Sequence, residues 1–196
     1  MWLSSPQVCN GAGSSKVELR RLSWADGSLT DELLDEIGQL RIASWEADGK
    51  RPSSVPITER SWTDTHDEHA EHFVVVSGGV IIAASRACFH TSNDALPDAG
   101  IVSPFIRTAA WPAVFWNRMV VHPLHRRNGL AERLDEDRLA WTCAAGAQSI
   151  FVTTHVAHRC RALEQLGFER IGEAPLRHVP TLAEYVYRMP GSRLTG

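Results

Sequence analysis

The segment that most constrains this chain is a strand that turns directly into a helix. Residues 114–122 form an apolar run with strand composition, and Pro123 closes it. A polar turn follows, and Leu130, Leu134 and Trp141 then recur at helical spacing. The sequence therefore predicts a strand over 114–122 and a helix over 128–145, a unit typical of mixed α/β sheets.

The start of this predicted helix has the chemistry of an anion site. The first backbone N–H groups of a helix lack internal partners, and the helix dipole places about half a positive charge there. Gly129 has no side chain, so an anion can approach the main chain closely. Arg126 and Arg127 add cationic donors, and small Ala131 leaves the first turn open. The segment therefore predicts a cradle for a diphosphate.

The rest of the chain supplies further strands and helices around this unit. Thr30 is a candidate N-cap for a helix that ends near Gly49. Gly167 ends another predicted helix, over residues 157–166. Gly78 and Gly79 predict a two-residue hairpin between two strands. The predicted strands cover residues 17–22, 72–77, 80–89, 149–154, 168–173 and 184–189.

These elements predict an α/β fold, a single-domain mixed β-sheet flanked by helices. Their order is β-α-(α)-β-β-β-α-β-α-β-β, in which the second helix, within the polar segment 50–71, is not resolved by the pattern. We expect one domain over residues 17–190, with tails at 1–16 and 191–196. Residues 91–112 contain three prolines and predict a long irregular connection.

Two motifs resemble those of the GNAT acetyltransferase superfamily. Residues 121–131 match its motif A, V-x-P-x-x-[QR]-x-x-G-x-[GA], at every defined position, and ALEQLGF over 162–168 is similar to its "[FL]-Y-E-K-L-G-F" helix ending. The second motif stands one helix and one strand after the first, as that fold requires. The resemblance spans residues 17–190 in element order, with motif detail over 114–173. It implies a GNAT-like acyl-CoA N-acyltransferase fold.

The resemblance also implies a coenzyme site. In that family the loop binds the coenzyme A pyrophosphate through main-chain N–H groups, and the preceding strand bonds the pantetheine arm. Arg127 through Glu132 would then surround the pyrophosphate. The expected coenzyme contacts are Met119, Val120, Val121, Arg126, Arg127, Asn128, Gly129, Leu130, Ala131 and Glu132.

The acid–base residues common in the family are not found at their usual positions. Leu163 stands where members often place the tyrosine that protonates the departing thiolate, Val156 replaces a common asparagine, and Phe151 lies where others use a glutamate. Two interpretations stay open. Direct attack by a positioned amine needs mostly proximity, or the protein binds acyl-CoA without turnover.

Several other residues are candidates for catalysis or acceptor binding. His155, just past the predicted strand 149–154, and His90, at the end of the hairpin, are candidate bases. Arg86 pairs either with an acceptor carboxylate or with an acid of the protein itself. Further candidate bases are Asp64, Tyr185 and Tyr187.

Metal and thiol chemistry are not expected. His66, His69 and His72 are spaced three apart but lack the H-E-x-x-H pattern of zinc hydrolases, so we predict no metal. Cys160 has no evident activating partner and is expected to be a small apolar residue. The four cysteines are scattered without a CxxC pair, which favours reduced thiols in a cytoplasmic protein.

Charge and hydropathy argue against two kinds of partner, nucleic acid and the lipid bilayer. With a net charge of −3, the chain lacks the excess of basic residues that is typical of nucleic-acid-binding proteins. No apolar run approaches the ~20 residues of a membrane span. Tryptophans at 45, 62, 111 and 116 would suit an apolar acceptor or a longer acyl chain, and core packing explains them equally well.

The sequence therefore predicts an N-acetyltransferase that moves an acetyl group from acetyl-CoA to a primary amine of a small molecule or peptide. The acceptor is expected to enter beside the first helices and residues 91–112, and a homodimer is left open. One alternative is an acyl-CoA sensor without turnover. Another is an N-acyltransferase using longer acyl-CoA donors, because Leu40-Arg41 and GGVIIAASR over 78–86 faintly resemble the N-acyl amino acid and autoinducer synthase branch.

Overall fold

The fold is given by a computed structural model that describes residues 16–49, 59–107, 109–176 and 179–194, without the side chains of 176 and 179–182. The predicted N-terminal tail lies outside the described residues except for Lys16. Residues 50–58 of the unresolved polar segment lie outside them as well.

The described strands form one mixed sheet of seven in the order β1-β2-β3-β4-β5-β7-β6. Neighbouring strands are antiparallel except for the central pair β4 and β5, which is parallel. The strands are β1 (Val17–Leu22), β2 (Glu71–Ser77), β3 (Val80–His90), β4 (Ala113–Val121), β5 (Ser149–Thr154), β6 (Glu169–Leu176) and β7 (Val179–Pro190).

Helices cover both faces of the sheet, because alternate residues of the central strands are apolar on both sides. Val74 and Val76 of β2 pack with the first helix, whereas Phe73 and Val75 pack with the third. The Thr30 hydroxyl accepts a hydrogen bond from the Leu33 N–H and caps the first helix. The helices are α1 (Asp31–Glu46), α2 (Ala99–Val102), α3 (Leu130–Ala144) and α4 (Ala157–Gln165).

The predicted fold class is confirmed, and the main differences lie at element ends. α3 begins at Leu130 rather than at 128, because Arg127 and Gly129 have φ values of 64° and 70° that no α-helix can include. β6 and β7 are longer than predicted, since they pair with each other beyond the apolar runs. The four-residue α2 interrupts the predicted irregular connection 91–112. Leu194, placed in the predicted C-terminal tail, is buried in the core.

The central strands separate at one end of the sheet. β4 and β5 pair only from Ala113↔Ser149 to Trp116↔Val152. Beyond Trp116 the register of β4 against β3 is also shifted, and Arg118 takes a φ of 55°. Residues 117–119 become partly exposed there, after four buried residues. A gap between β4 and β5 therefore opens towards the loop that leads into α3.

None of the helices in the described ranges is both long and apolar enough to span a lipid bilayer.

Candidate active site

The loop between β4 and α3 exposes the N-terminus of that helix. A 3-10 turn over Pro123–His125 precedes it, and Gly129 provides no side-chain cap for the first turn. A Cβ added to Gly129 would meet nothing within 4 Å, so the space above it is open. Arg127, Asn128 and Glu132 are exposed around it. The free amides of the first turn, the dipole and the Arg127 cation fit a diphosphate.

Arg126 has a different role from its neighbour. Its Nη1 lies 2.6 Å from the Asp48 carboxylate, and its Nη2 donates to the Ser44 carbonyl at 2.9 Å near the end of α1. Its Nε donates to the Val121 carbonyl at 3.3 Å. Arg126 therefore ties the loop to α1, whereas Arg127 forms no ion pair within the described part of the chain.

The predicted pantetheine strand lines the gap. Met119 and Val121 pack on the α3 side and Val120 on the α1 side, as alternation along a strand requires. The Val121 carbonyl also accepts a hydrogen bond from the Ser44 hydroxyl at 3.2 Å. Where the strands part there is a cavity of about 10 Å³, enough for one water molecule. Its lining comes from Pro97, Asp98, Val102, Phe115, Trp116, Asn117, Phe151, Val152 and Thr153.

A row of ring contacts joins the two strands across the open end of the gap. The Arg118 guanidinium of β4 lies 4.0 Å from the Trp62 ring centre, and Trp62 lies 5.5 Å from Trp45 of α1. Trp45 in turn lies 6.5 Å from the His155 ring, just past β5. Gly38 of α1 allows this arrangement, because a Cβ at this position would lie only 2.9 Å from the backbone nitrogen of Trp62.

His155 has a carboxylate partner that sequence analysis missed. Its Nδ1 lies 3.1 Å from Oε2 of Glu184 on β7, and both side chains are largely buried. The pairing follows from the antiparallel register, since Thr154↔Tyr185 is the last aligned pair of β5 and β7. Glu184 is a charged residue in an otherwise apolar strand pattern, which could have marked it as a candidate. Only the pairing of the strands shows that its side chain lies beside His155.

His90 is not brought together with His155. It ends β3 opposite Ala113, at the end of β4 remote from the α3 loop, and its ring lies 5.6 Å from that of Phe115. Burial lowers the pKa of His90. The two candidate bases therefore lie at different ends of the central strands.

Arg86 is enclosed by acids of the protein rather than directed to an acceptor. Its side chain is 1% exposed, and Nη1 lies 2.5 Å from Asp64 and 2.9 Å from Asp67. Of the two pairings predicted for Arg86, the structure shows the one with acids of the protein itself and not the one with an acceptor carboxylate, because Asp64 and Asp67 cover the Arg86 side chain.

These acids belong to a buried charged network that sequence analysis did not predict. Arg41 of α1 binds both carboxylate oxygens of Asp67, at 2.9 and 2.8 Å. Arg118 binds Asp64 at 2.7 Å. Burial acts to raise the pKa of Asp64, but Arg86 and Arg118 outweigh it and lower that pKa to about 2. Asp64 is therefore a very weak base.

The histidines at 66, 69 and 72 do not act as one group. His72 lies in β2, fully buried, with Nε2 3.1 Å from the Asp67 carbonyl oxygen. Burial lowers the pKa of His72 to about 4, so it is neutral at pH 7. Among the residues that the structure describes, no three His, Cys, Asp or Glu side chains are arranged to hold a metal ion.

The remaining candidates face α4 or the protein surface. The Tyr187 hydroxyl donates to Glu164 of α4 at 3.0 Å, and burial, followed by contacts with Cys160 and Glu164, raises its pKa. Tyr185 is covered by the Arg170 guanidinium at 3.9 Å. Leu163, at the position of the family tyrosine, is fully buried in the core. Leu163 and Tyr187 therefore offer no free hydroxyl to the gap.

A second buried charged group holds α3 against α4. Asp135 is bonded to Arg138 at 2.5 Å and to Arg159 of α4. The Arg138 guanidinium lies 4.3 Å from the Trp116 ring, and burial lowers the pKa of Arg138 to about 10. The two helices beside the gap are therefore fixed to each other and to β4.

Solved structures show the same fold. The chain is similar to FeeM, an N-acyl amino acid synthase from uncultured soil microbes, at 14% identity and a TM-score of 0.68, over 92% of this chain and 94% of that chain. It is similar to BjaI, a CoA-dependent acyl-homoserine lactone synthase solved with SAM and isopentyl-CoA, at 15% and 0.70, over 92% and 87%. An acyl-CoA N-acyltransferase from Pseudomonas aeruginosa matches at 19% and 0.61, over 88% and 99%.

At these identities the structural similarity shows the fold alone. No curated protein matches the chain by sequence. The sequence profile of the acetyltransferase (GNAT) family matches residues 34–168, from α1 through the end of the second motif. Because this match covers more than half of the chain and includes the loop, the gap and both flanking helices, the chain belongs to the acetyltransferase (GNAT) family of acyltransferases.

Proposed function

We propose that this protein transfers an acetyl group from acetyl-CoA to a primary amine of a small molecule or peptide. One observation carries the proposal: the uncapped N-terminus of α3, with Gly129 and Arg127 beside it, lies at the edge of the gap between β4 and β5. A diphosphate at the helix and a thioester in the gap are compatible with one extended coenzyme.

The residues of the chain would then bind and orient rather than react. The amides of Leu130 and Ala131, with the Arg127 cation, would hold the diphosphate. The backbone of Met119 and Val121, which has lost β5 as a partner, would bond the pantetheine amides. Arg126 would keep the loop at this position through Asp48. Such positioning supplies most of what an amine needs to attack a thioester.

The small cavity where the strands part, with room for about one water molecule, supports a short acyl group rather than a long chain. A longer donor is the second candidate. Phe115 and Phe151, stacked at 5.2 Å, line this cavity, and an aromatic lining suits an alkyl chain once the segment 97–102 moves. The fold similarity to the N-acyl amino acid synthase FeeM favours the same candidate.

Coenzyme binding is tested by calorimetry with coenzyme A on wild type and Gly129→Asp. We expect the variant to lose at least a hundredfold in affinity, because a carboxylate would stand where phosphate binds. Gly27→Asp is a matched control, since Gly27 also has a positive φ of 74° and open space around it, in a turn remote from α3. Unchanged affinity in a folded Gly129→Asp protein would contradict the proposed site.

Turnover and chain length are tested together by thiol release. Acyl-CoA donors from two to twelve carbons are each combined with a panel of primary amines. We expect the highest kcat/KM with acetyl-CoA. A maximum at eight or more carbons would replace acetyl with long-chain transfer, and tight binding without turnover on any amine would indicate a sensor.

A further inference from the structure

We propose that His155 is the general base of this site and that Glu184 is the residue that positions it. The inference rests on the proposed function, because it assigns the proton transfer of that same reaction. The roles of His155 and Glu184 can be tested separately from acetyl transfer, because the NMR measurement described below needs no turnover.

The location of His155 is the first observation. β4 and β5 stop pairing at Trp116↔Val152, so His155 follows β5 at the open end of the gap. Its ring lies 6.5 Å from Trp45, whose helix carries Ser44, and the Ser44 hydroxyl donates to the Val121 carbonyl of β4. His155 and the predicted pantetheine strand therefore flank the same opening.

The carboxylate partner is the second observation. Glu184 is buried in the centre of β7, where a carboxylate is rare unless it has a defined partner. It lies 3.1 Å from Nδ1 of His155. A carboxylate only accepts, so this contact needs a proton on Nδ1, and in the neutral ring Nε2 is then unprotonated. Nε2 forms no hydrogen bond with any residue in the described ranges, so it is free to accept a proton.

The alternatives within the described residues are less suited to this step. Asp64 is held by Arg86 and Arg118, and its pKa is lowered to about 2. His90 lies at the other end of β4, over Phe115. His72 is fully buried against Asp67. Among the candidate histidines and acids, only His155 combines the gap, partial exposure and an orienting partner.

In the proposed step His155 removes one proton from the acceptor before the acyl group is transferred. An acceptor arriving as an ammonium gives one proton to Nε2 of His155 and becomes a neutral amine. Its nitrogen attacks the acyl carbon, a C–N bond forms, and the C–S bond breaks with its electron pair going to sulfur. The second nitrogen proton passes to the departing thiolate, and His155 returns its proton to solvent. Glu184 stabilises the transient imidazolium and fixes the ring orientation.

Steady-state kinetics on full-length protein test the base. We expect His155→Gln to lower kcat about 10²- to 10⁴-fold, the usual contribution of a positioned general base, with affinity for coenzyme A within twofold of wild type. Glu184→Gln should lower kcat by about tenfold or more with little change in KM for acyl-CoA. The controls are His69→Gln, an exposed histidine, and Glu173→Gln, an exposed glutamate of β6.

Nitrogen NMR of the histidine rings tests the positioning without turnover. At pH 8 we expect His155 as the Nδ1–H tautomer in wild type and in Glu173→Gln. In Glu184→Gln the population should shift towards the Nε2–H form. An Nε2–H ring in wild type, or full kcat in folded His155→Gln, would overturn the inference while leaving the proposed function standing. Absence of turnover in wild type would instead refute the function, and the tautomer would still decide whether Glu184 orients the ring.

Discussion

The loop before α3 and the buried charged network around Asp64 and Asp67 are built in opposite ways. The loop presents backbone amides from one continuous stretch, residues 126–132, and is open to solvent. The network joins side chains from four separate segments: Arg41; Asp64 and Asp67; Arg86; Arg118. One region depends on backbone conformation and the other on paired charges, so they should respond to different changes.

The largest effect is expected at the centre of the network. Asp67 is fully buried and paired with both Arg41 and Arg86. Asp67→Asn removes the charge that compensates two buried guanidinium groups, so we expect about 3–5 kcal/mol of destabilisation by urea unfolding. The adjacent exposed Glu68→Gln should change stability by less than about 0.5 kcal/mol. A small effect of Asp67→Asn would show that the network contributes little to the free energy of unfolding.

The same region should make stability sensitive to mild acid. The folded-state pKa of His72 is lowered to about 4 by burial, so between about pH 6.5 and 4 the unfolded chain binds a proton that the folded chain does not. Stability contributed by neutral His72 is complete above pH 6.5 and is lost as the pH falls towards 4, by up to about 3 kcal/mol. Urea unfolding from pH 7.5 to 4.5 measures this.

His72→Gln is the control for that titration. The difference in unfolding free energy between wild type and variant should shrink as the pH is lowered through this window, because only wild type carries the titrating ring. A difference that stays constant with pH would show that the pKa of His72 is the same in the folded and unfolded states, and would contradict the lowered pKa.

At the loop the effects should fall on affinity rather than on stability. Arg127 is exposed and forms no ion pair in the described part of the chain. Arg127→Gln should weaken coenzyme A binding by roughly tenfold, the value of one charge-assisted contact. The loss should shrink at high salt, since exposed charges are screened. Calorimetry at two salt concentrations measures both, and an unchanged affinity would remove Arg127 from the site.

The smallest effect separates the two neighbouring arginines. Arg126 contacts Asp48 and the end of α1, so its influence on the coenzyme should pass through loop position. Arg126→Gln and Asp48→Asn should each weaken coenzyme A binding by about two- to fivefold, as expected for an exposed pair. If Arg126→Gln alone weakens binding, Arg126 contacts phosphate directly.

The same difference between local and long-range structure separates what the sequence predicts from what it does not. The fold class and the presence of a helix after Pro123 can be predicted because strand alternation, Pro123 and Gly129 act locally. The pairing of Arg86 with Asp64 and Asp67, and of His155 with Glu184, depends on strand register and on a close approach at Gly38. These are contacts between distant segments, which no local pattern encodes. The motif position of Arg126 predicts a contact with the coenzyme, whereas its side chain binds Asp48 and the Ser44 carbonyl of the protein itself.

Whether coenzyme A binds at the N-terminus of α3 can be measured by following backbone amides during a titration with coenzyme A. In ¹H–¹⁵N correlation spectra we expect the largest shifts at residues 127–132, with smaller shifts at 117–121 along the exposed end of β4. Saturable binding that shifts other amides and leaves 127–132 unchanged would contradict this expectation.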